Sequence, residues 1–202
     1  AYARFLPDWQ HLGRPLQGLD GVLAVIEQFA GMPIPASAWE SLVLPSRVRD
    51  YSPALLDELT ASGEVIWSGH GTLPGRDGWV SLHPADLAPF TLPEPDDEIA
   101  ADSLEARVLA VLEAGGAYFA GQLKEMAGAE NEQSVLEALW SLTWAGRVTN
   151  DTFAPIRSLL AGGSQAHRVT RRAPRTRTYR GMSLARTGAR PSSIGGRWSL
   201  LP

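Results

Sequence analysis

The feature that most constrains the fold is a motif that occurs twice, with the pattern Leu-x-x-Leu-Thr-x-x-Gly-x-Val. Its first copy runs from Leu56 to Val65 and its second from Leu139 to Val148, so matching positions lie 83 residues apart. In both copies, leucines at helical spacing are followed by a glycine. A β-branched valine stands two residues after that glycine. The repeat predicts two similar units, each with a helix that ends at glycine and leads into a strand.

The residues around the first copy complete the plan of one unit. Apolar residues at Val22, Ile26 and Phe29 share one helical face, and Gly31 ends this first helix. A short second helix is expected around 36–42, and the third contains the motif. The segments EVIWSG and WVSLH, joined by the turn LPGRDG, predict a β-hairpin. Three helices followed by a hairpin are the plan of a winged helix.

The second half repeats this order. Asp102 and Glu105 predict a capping box at the start of a helix with the same apolar spacing. A short helix is expected within GGAYFAGQLKEMAG, and Asn131 is the predicted N-cap of the third helix. Gly146 ends that helix, and RVTND starts a strand. The predicted fold is mainly α with small β-hairpins: two tandem winged-helix domains plus an irregular basic C-terminal tail.

These patterns divide the chain into five parts. The predicted boundaries are an N-terminal lead-in at 1–18, a first winged helix at 19–90, an acidic proline-rich linker at 91–101, a second winged helix at 102–162 and a basic tail at 163–202. Because the last residues, RWSLLP, turn apolar again, we expect the tail to lead toward a further domain. The spacing of four tryptophans favours a place in the core over base stacking: Trp39, Trp67, Trp140 and Trp144.

Charge is distributed unevenly along the chain. Residues 164–202 contain nine arginines and no acid, whereas residues 1–163 contain the other nine basic residues and all 22 acids. Arginine presents forked donors that match phosphate oxygens, and a tyrosine among arginines can stack on an unpaired base. The predicted nucleic-acid-binding residues are Arg168, Arg171, Arg172, Arg175, Arg177, Tyr179 and Arg180. The alternative for the same run is a solubilising linker with the arginine bias of a GC-rich genome.

The two predicted third helices carry the opposite charge. The first contains Asp57 and Glu58, the second contains Glu132 and Glu137, and neither contains a basic residue. Acidic faces are repelled by phosphate, so these helices are not expected to read a DNA sequence in the major groove. The predicted partner is therefore DNA, single-stranded or duplex, without sequence preference.

Other chemistries lack their motifs. The sequence has no phosphate-binding G-x-x-x-x-G-K-[ST] loop, no H-E-x-x-H and no cysteine, and its four histidines are scattered. His70 and His83 flank the predicted hairpin, but two histidines without a third ligand are a weak zinc site. We predict no catalytic residue, no metal and no cofactor. No signal peptide and no apolar stretch of about 20 residues is found, so a cytoplasmic protein without a membrane partner is expected.

The sequence resembles a known family along essentially its whole length. The stretches IPASAWE, LPSRVRDY and LDELTASGEVIW, and the ending GGRWSLLP, are similar to the C-terminal region of the bacterial large helicase-related (Lhr) proteins. Those proteins are superfamily 2 DNA helicases whose C-terminal extension consists of tandem winged helices and resembles winged-helix DNA glycosylases. The resemblance implies DNA repair as the setting and an ATP-dependent DNA helicase as the parent protein. None of the family's motor motifs falls in this chain.

Three functions remain open on the sequence. The leading hypothesis is a non-catalytic accessory segment of a DNA-repair helicase, which supports DNA binding and organises the other domains of the parent. The second is a structural part of a glycosylase-like module that is completed by later residues. The third is an oligomerisation platform.

Overall fold

The computed structural model describes residues 15–92, 94–95, 99–162 and 195–202. The first half contains β1 (Leu16–Gln17), α1 (Gly18–Gln28), β2 (Ile34–Pro35), α2 (Ala36–Ala38) continued by a π-helical turn (Trp39–Val43), β3 (Val48–Arg49), α3 (Pro53–Ser62), β4 (Val65–Leu73), β5 (Asp77–Pro84) and α4 (Ala88–Thr91). The predicted order of three helices and a hairpin is confirmed for this half. Residues 1–14 of the predicted lead-in, and residues 93 and 96–98 of the predicted linker, lie outside the described residues.

The first unit packs its helices on one face of an antiparallel sheet. Helix α1 buries Val22, Val25 and Ile26, which recur at helical spacing along one face. The sheet has the order β2-β5-β4, and Ile34 lies opposite Val80. The strand between α1 and α2 is thus part of the sheet that the hairpin forms, which holds the hairpin against the helices.

The second half begins with three helices, as predicted. Its elements are α5 (Leu104–Glu113), α6 (Ala120–Met126), α7 (Glu132–Trp144), β6 (Val148–Asn150), α8 (Ala154–Gly162) and β7 (Trp198–Leu200). The Asn131 cap is confirmed, since its side chain accepts a hydrogen bond from the Ser134 backbone N–H. The capping box at Asp102 is wrong: Ser103 is the N-cap of α5 and accepts from the Ala106 N–H. A serine one residue later fulfils the same requirement.

The repeated motif has the same structure in both halves. In α3 the Thr60 hydroxyl donates to the Leu56 carbonyl at 3.1 Å, and in α7 the Thr143 hydroxyl donates to the Leu139 carbonyl at 2.7 Å. Both helices then end at a glycine with positive φ, 80° at one and 69° at the other. A left-handed residue at this position favours glycine, which explains why both copies carry it.

The hairpin expected at the end of the second half does not form. After β6 the chain enters α8, and the strand that pairs antiparallel with β6 is β7, with Val148 opposite Leu200. Tyr118, between α5 and α6, bridges Trp198 on the other edge of β7. The predicted irregular tail therefore does not include its last residues, because Trp198 is fully buried in this unit.

The two halves share one hydrophobic core. Trp67 of the first sheet makes edge contacts with Phe153 and Trp198, and its indole N–H donates to the Thr152 carbonyl at 3.2 Å. The core assignment is confirmed for Trp39 and Trp67, which are fully buried, while Trp140 and Trp144 are half-buried against the core. Within the described ranges, no helix is long and apolar enough to cross a membrane.

Candidate nucleic-acid interface

The predicted nucleic-acid-binding residues fall in one segment. Arg168, Arg171, Arg172, Arg175, Arg177, Tyr179 and Arg180 all lie outside the described residues. The structure does describe the residues on either side of this segment, at the end of α8 and from Gly195 onward. These flanking residues decide how the basic segment is attached to the rest of the molecule.

The later flank is held by a compact hydrogen-bond network. The Asn150 side chain donates to the Gly195 carbonyl at 3.2 Å. The Asp151 carboxylate accepts from the Arg197 backbone N–H and from Arg197 Nε, each at 2.7 Å. Gly196 has a φ of 79°, and a side chain there would collide with the Asn150 and Asp151 carboxamide and carboxylate oxygens. The chain therefore re-enters the fold at one fixed place after the basic segment.

The earlier flank is held by an ion cluster around Arg157 of α8. Arg157 Nε lies 2.6 Å from Glu40, and its Nη1 lies 2.8 Å from Asp57. Burial alone would lower the pKa of Arg157, but the hydrogen bonds to both carboxylates outweigh burial and raise it. Burial, with the hydrogen bond to Glu40, raises the pKa of Tyr51, whose hydroxyl donates to Glu40 at 2.7 Å. These contacts fasten α8 to the first unit.

The same contacts engage one acidic residue of the third helix of the first unit. Asp57 of α3 accepts from Arg157 and also from the Phe153 backbone N–H at 2.9 Å. In a DNA-binding winged helix this helix would face the groove. Here one of the two acids of α3 is paired within the protein, while Glu58 is exposed. The acidic character of α3 thus has a structural cause that the sequence did not show.

Part of the hairpin of the first unit packs against the second half. A Cβ at Gly69 would lie 2.5 Å from the Thr143 carbonyl and 2.9 Å from Trp144 Cε3, so only glycine fits. Gly78 on β5 meets the Trp144 ring in the same way. The hairpin therefore packs closely against the end of α7 at these two glycines, while its turn at 74–76 is exposed.

An aromatic series continues from this contact across the molecule. Trp144 stacks on Trp140 with ring centroids 5.6 Å apart, and Trp140 meets Trp198 edge-on at 5.8 Å. Trp198 meets Trp67 at 6.5 Å, and Trp67 meets Phe153 at 6.0 Å. Such edge-to-face and stacked pairs stabilise beyond the area that they bury. Residues from four separate segments thus join the two units.

The two hairpin histidines lie near each other and share Ser68 as a hydrogen-bond partner. Ser68 Oγ lies 3.0 Å from His70 Nε2 and 2.8 Å from His83 Nε2. Burial, with a smaller contribution from His70, lowers the pKa of His83 to about 4, and burial also lowers the pKa of His70. Among the described residues, no group of three His, Cys, Asp or Glu side chains could hold a metal ion.

The described part of the chain is strongly acidic. It contains 18 carboxylate side chains and 8 basic ones, so most of its surface repels a polyanion. Several basic side chains already have partners within the protein: Arg157 and Arg197 form ion pairs, and Arg47 lies 4.9 Å from the centroid of the Phe29 ring. Sequence reasoning missed the Arg157 cluster because its partners lie more than 90 residues earlier in the chain.

Three helices and a hairpin, with the strand between the first two helices added to the sheet, define residues 16–84 as a winged-helix domain. Residues 1–85 match the family model described as "Large helicase-related protein, winged-helix domain". The chain belongs to the large helicase-related protein family, as a segment of its C-terminal region, and the resemblance noted in the sequence is confirmed.

Two curated relatives align with nearly the whole chain. The first is "Lhr helicase/ probable uracil glycosylase" of Mycolicibacterium smegmatis, 52% identical over 209 residues, which cover 100% of the chain and 14% of that protein. The second is "Lhr helicase/uracil glycosylase" of Escherichia coli, 45% identical over 196 residues, which cover 92% of the chain and 13% of that protein. The chain thus spans about one seventh of the length of these relatives.

Proposed function

We propose that this segment is a non-catalytic accessory part of a DNA-repair helicase, in which an acidic folded body holds a basic segment that contacts DNA. The observation that carries the proposal is that both flanks of the basic segment are fastened to the body, through Arg157 on one side and Asn150 and Asp151 on the other. Asp57 of the third helix is already paired with Arg157, and the acidic charge of this helix disfavours phosphate. We therefore assign the DNA contacts to the Arg168–Arg180 segment.

In this proposal the second unit is also a winged helix, with α8 and the basic segment inserted between the two strands that pair in its sheet. Tyr118, β7 and β6 lie in the same order as β2, β5 and β4 of the first sheet. Tyr118 is also 83 residues after Pro35, the spacing of the repeated motif. The two tandem winged helices would then form the scaffold, and the remaining domains of the parent protein would be its other partners.

The direct test is a gel-shift titration on single-stranded and duplex DNA of several sequences, over a range of salt concentrations. Replacing Arg171, Arg172, Arg175 and Arg177 with Ala should weaken binding to all these sequences, because phosphate contacts carry no base information. Each lost phosphate contact flattens the plot of log K against log salt by about 0.7 to 0.9, so four should change its slope by roughly 3.

The matched control replaces Arg49 and Arg107, two exposed arginines of the body. This variant should leave the salt slope nearly unchanged. An equal loss of DNA affinity in the control and in the four-arginine variant would contradict the proposal, because the body would then contribute as much to DNA binding as the basic segment. An unchanged slope in the four-arginine variant would make the basic segment a bystander.

A second candidate is a structural share in a glycosylase-like module completed by later residues. It is favoured by the names of both relatives, which include a uracil glycosylase or a probable one. Base excision requires a carboxylate or an activated water near the sugar. Base release by the longer C-terminal region, measured after single replacement of each exposed acid in this segment, separates the candidates. The accessory role predicts that every such variant keeps its activity.

A further inference from the structure

Four hydrogen bonds form a continuous series through the first hairpin. They join His70 to Ser68 at 3.0 Å, Ser68 to His83 at 2.8 Å, His83 Nδ1 to the Thr91 hydroxyl at 2.9 Å, and Thr91 to the Leu87 carbonyl at 3.0 Å. Ser68 and His83 are fully buried, so water does not take the place of any inner partner.

The positions of the protons in this series follow from its last member. The Leu87 carbonyl can only accept a hydrogen bond, so the Thr91 hydroxyl donates its single hydrogen to it. The same hydroxyl must therefore accept a hydrogen bond from His83 Nδ1–H. Because buried His83 is neutral, its Nε2 accepts from the Ser68 hydroxyl. Ser68 must then accept from His70 Nε2–H. A neutral His70 therefore keeps a bare lone pair on Nδ1.

This lone pair is accessible. Within the described residues, His70 Nδ1 has no hydrogen-bond partner and is not among the buried unsatisfied atoms. The strand pairing shifts between Gly69 and Thr72, so His70 and Gly71 together face the single residue Trp79 in a β-bulge. Bulges re-aim side chains and are frequent beside functional sites. His70 lines a cavity of about 200 Å³.

The rest of the cavity wall favours a cation. Glu94 contributes a carboxylate, and Trp144 contributes an indole ring that the contacts with Gly69 and Gly78 hold in place. Ala145 and Gly146 add the C-terminal end of the 13-residue helix α7, where the helix dipole is negative. Among the residues that the structure describes, no lysine or arginine lines this cavity. An anion would therefore have no lysine or arginine to pair with among these lining residues.

We propose that this cavity binds a guanidinium group, that of an arginine side chain on a polypeptide. A guanidinium is planar and carries only N–H donors, so it matches an acceptor imidazole and a carboxylate. His70 and Glu94 are only two metal-ligating side chains, which are too few to hold a metal ion. The Glu94 carboxylate would repel a phosphate. This inference is independent of the DNA contacts proposed above.

The experiment titrates N-acetylarginine amide into the 202-residue chain and follows the imidazole nitrogens by ¹H–¹⁵N NMR. The His70 Nδ1 resonance should shift saturably with a Kd on the order of millimolar, while the His83 resonances stay in place. The variant Glu94→Gln, on an exposed residue, should weaken binding about tenfold, because a charge-assisted hydrogen bond is lost. The control Asp86→Asn, an exposed acid outside the cavity, should change it by no more than about twofold.

Three results would overturn the proposal. The first is the absence of a saturable shift at His70. The second is an equal effect of Glu94→Gln and Asp86→Asn, which would indicate only a general attraction to an acidic protein. The third is a shift of the same His70 resonance by a short single-stranded oligonucleotide at lower concentration than by the arginine probe, which would assign the cavity to an unpaired base.

Discussion

The two sheets of this molecule begin alike and close differently. In the first unit, β4 and β5 are separated only by residues 74–76, which form a tight turn. In the second unit, β6 and β7 are separated by residues 151–197, which include α8 and the basic segment. The repeated motif therefore specifies a helix, its glycine end and the first strand, whereas the residues after the motif decide how the sheet closes.

This difference has an energetic consequence. Closing a long connection costs more chain entropy than closing a short turn, although the cost grows only slowly with length. The second sheet must recover that cost from contacts of β7, to which Trp198 contributes, since it is fully buried between Trp67 and Trp140. The pairing of β7 should therefore depend on this side chain.

The largest expected effect comes from removing that side chain. Trp198→Ala deletes a buried ring and two aromatic contacts, so it should lower the free energy of unfolding by about 3 to 5 kcal/mol, measured by urea denaturation. Trp79→Ala is the matched control, because Trp79 is 37% exposed on the first sheet. The control should cost about 1 kcal/mol or less. Similar losses in both variants would show that Trp198 stabilises the second sheet no more than a partly exposed ring stabilises the first.

A pH titration should weaken the first sheet selectively. Because the pKa of His83 is lowered to about 4 in the fold, the neutral form is favoured there, whereas an unfolded histidine binds a proton near pH 6.5. The contribution of neutral His83 to the free energy of unfolding is therefore complete above about pH 6.5 and is lost as the pH falls toward 4. The loss should reach at most about 3 kcal/mol.

The measurement is urea unfolding at several pH values between 7.5 and 4.5. His83→Gln removes the titrating group, so the slope of stability against pH should flatten even if the variant is less stable throughout. A variant that keeps the slope of the parent chain would show that His83 does not carry the acid sensitivity.

A smaller effect is expected where the two units touch. Gly69→Ala places a methyl group against the Thr143 carbonyl and the Trp144 ring, so it should destabilise by about 1 to 3 kcal/mol. Gly121→Ala, in helix α6, adds the same methyl group in open space and should stabilise by about 0.5 to 1 kcal/mol. Thermal unfolding distinguishes the two variants, because Tm should fall for Gly69→Ala and rise for Gly121→Ala. A neutral Gly69→Ala would mean that the hairpin is free of α7.

Periodicity and capping residues were sufficient to predict most of the fold. Three helices in each half, the hairpin of the first and the Asn131 cap follow from local sequence, since each depends on residues within one or two helical turns. The β6–β7 pairing could not be predicted in this way. The apolar ending with Trp198 was visible, but nothing local indicates that it returns to a strand that ends at Asn150.

The candidate sites differ in the same way: one can be predicted from the local sequence, and the others depend on tertiary packing. The basic segment is visible in the sequence because charge is a property of composition, and it remains a prediction. The Arg157 cluster and the His70–Ser68–His83 series require residues that are brought together by tertiary packing. The sequence signal for the second was weak, since two histidines flanking a hairpin more often serve structure than chemistry. The serine that joins them had no recognisable motif.

The central claim is that the basic segment is anchored at both ends because residues 195–202 belong to the second unit. Amide hydrogen exchange tests it most directly at two positions, since the Tyr118 N–H donates to the Trp198 carbonyl at 2.9 Å and the Asp151 N–H donates to the Arg197 carbonyl at 3.0 Å. Both amides should exchange slowly in the 202-residue chain and rapidly after deletion of residues 195–202, while the Val80 amide of the first sheet stays protected. Equal exchange at Tyr118 and Asp151 in the two chains would contradict the claim.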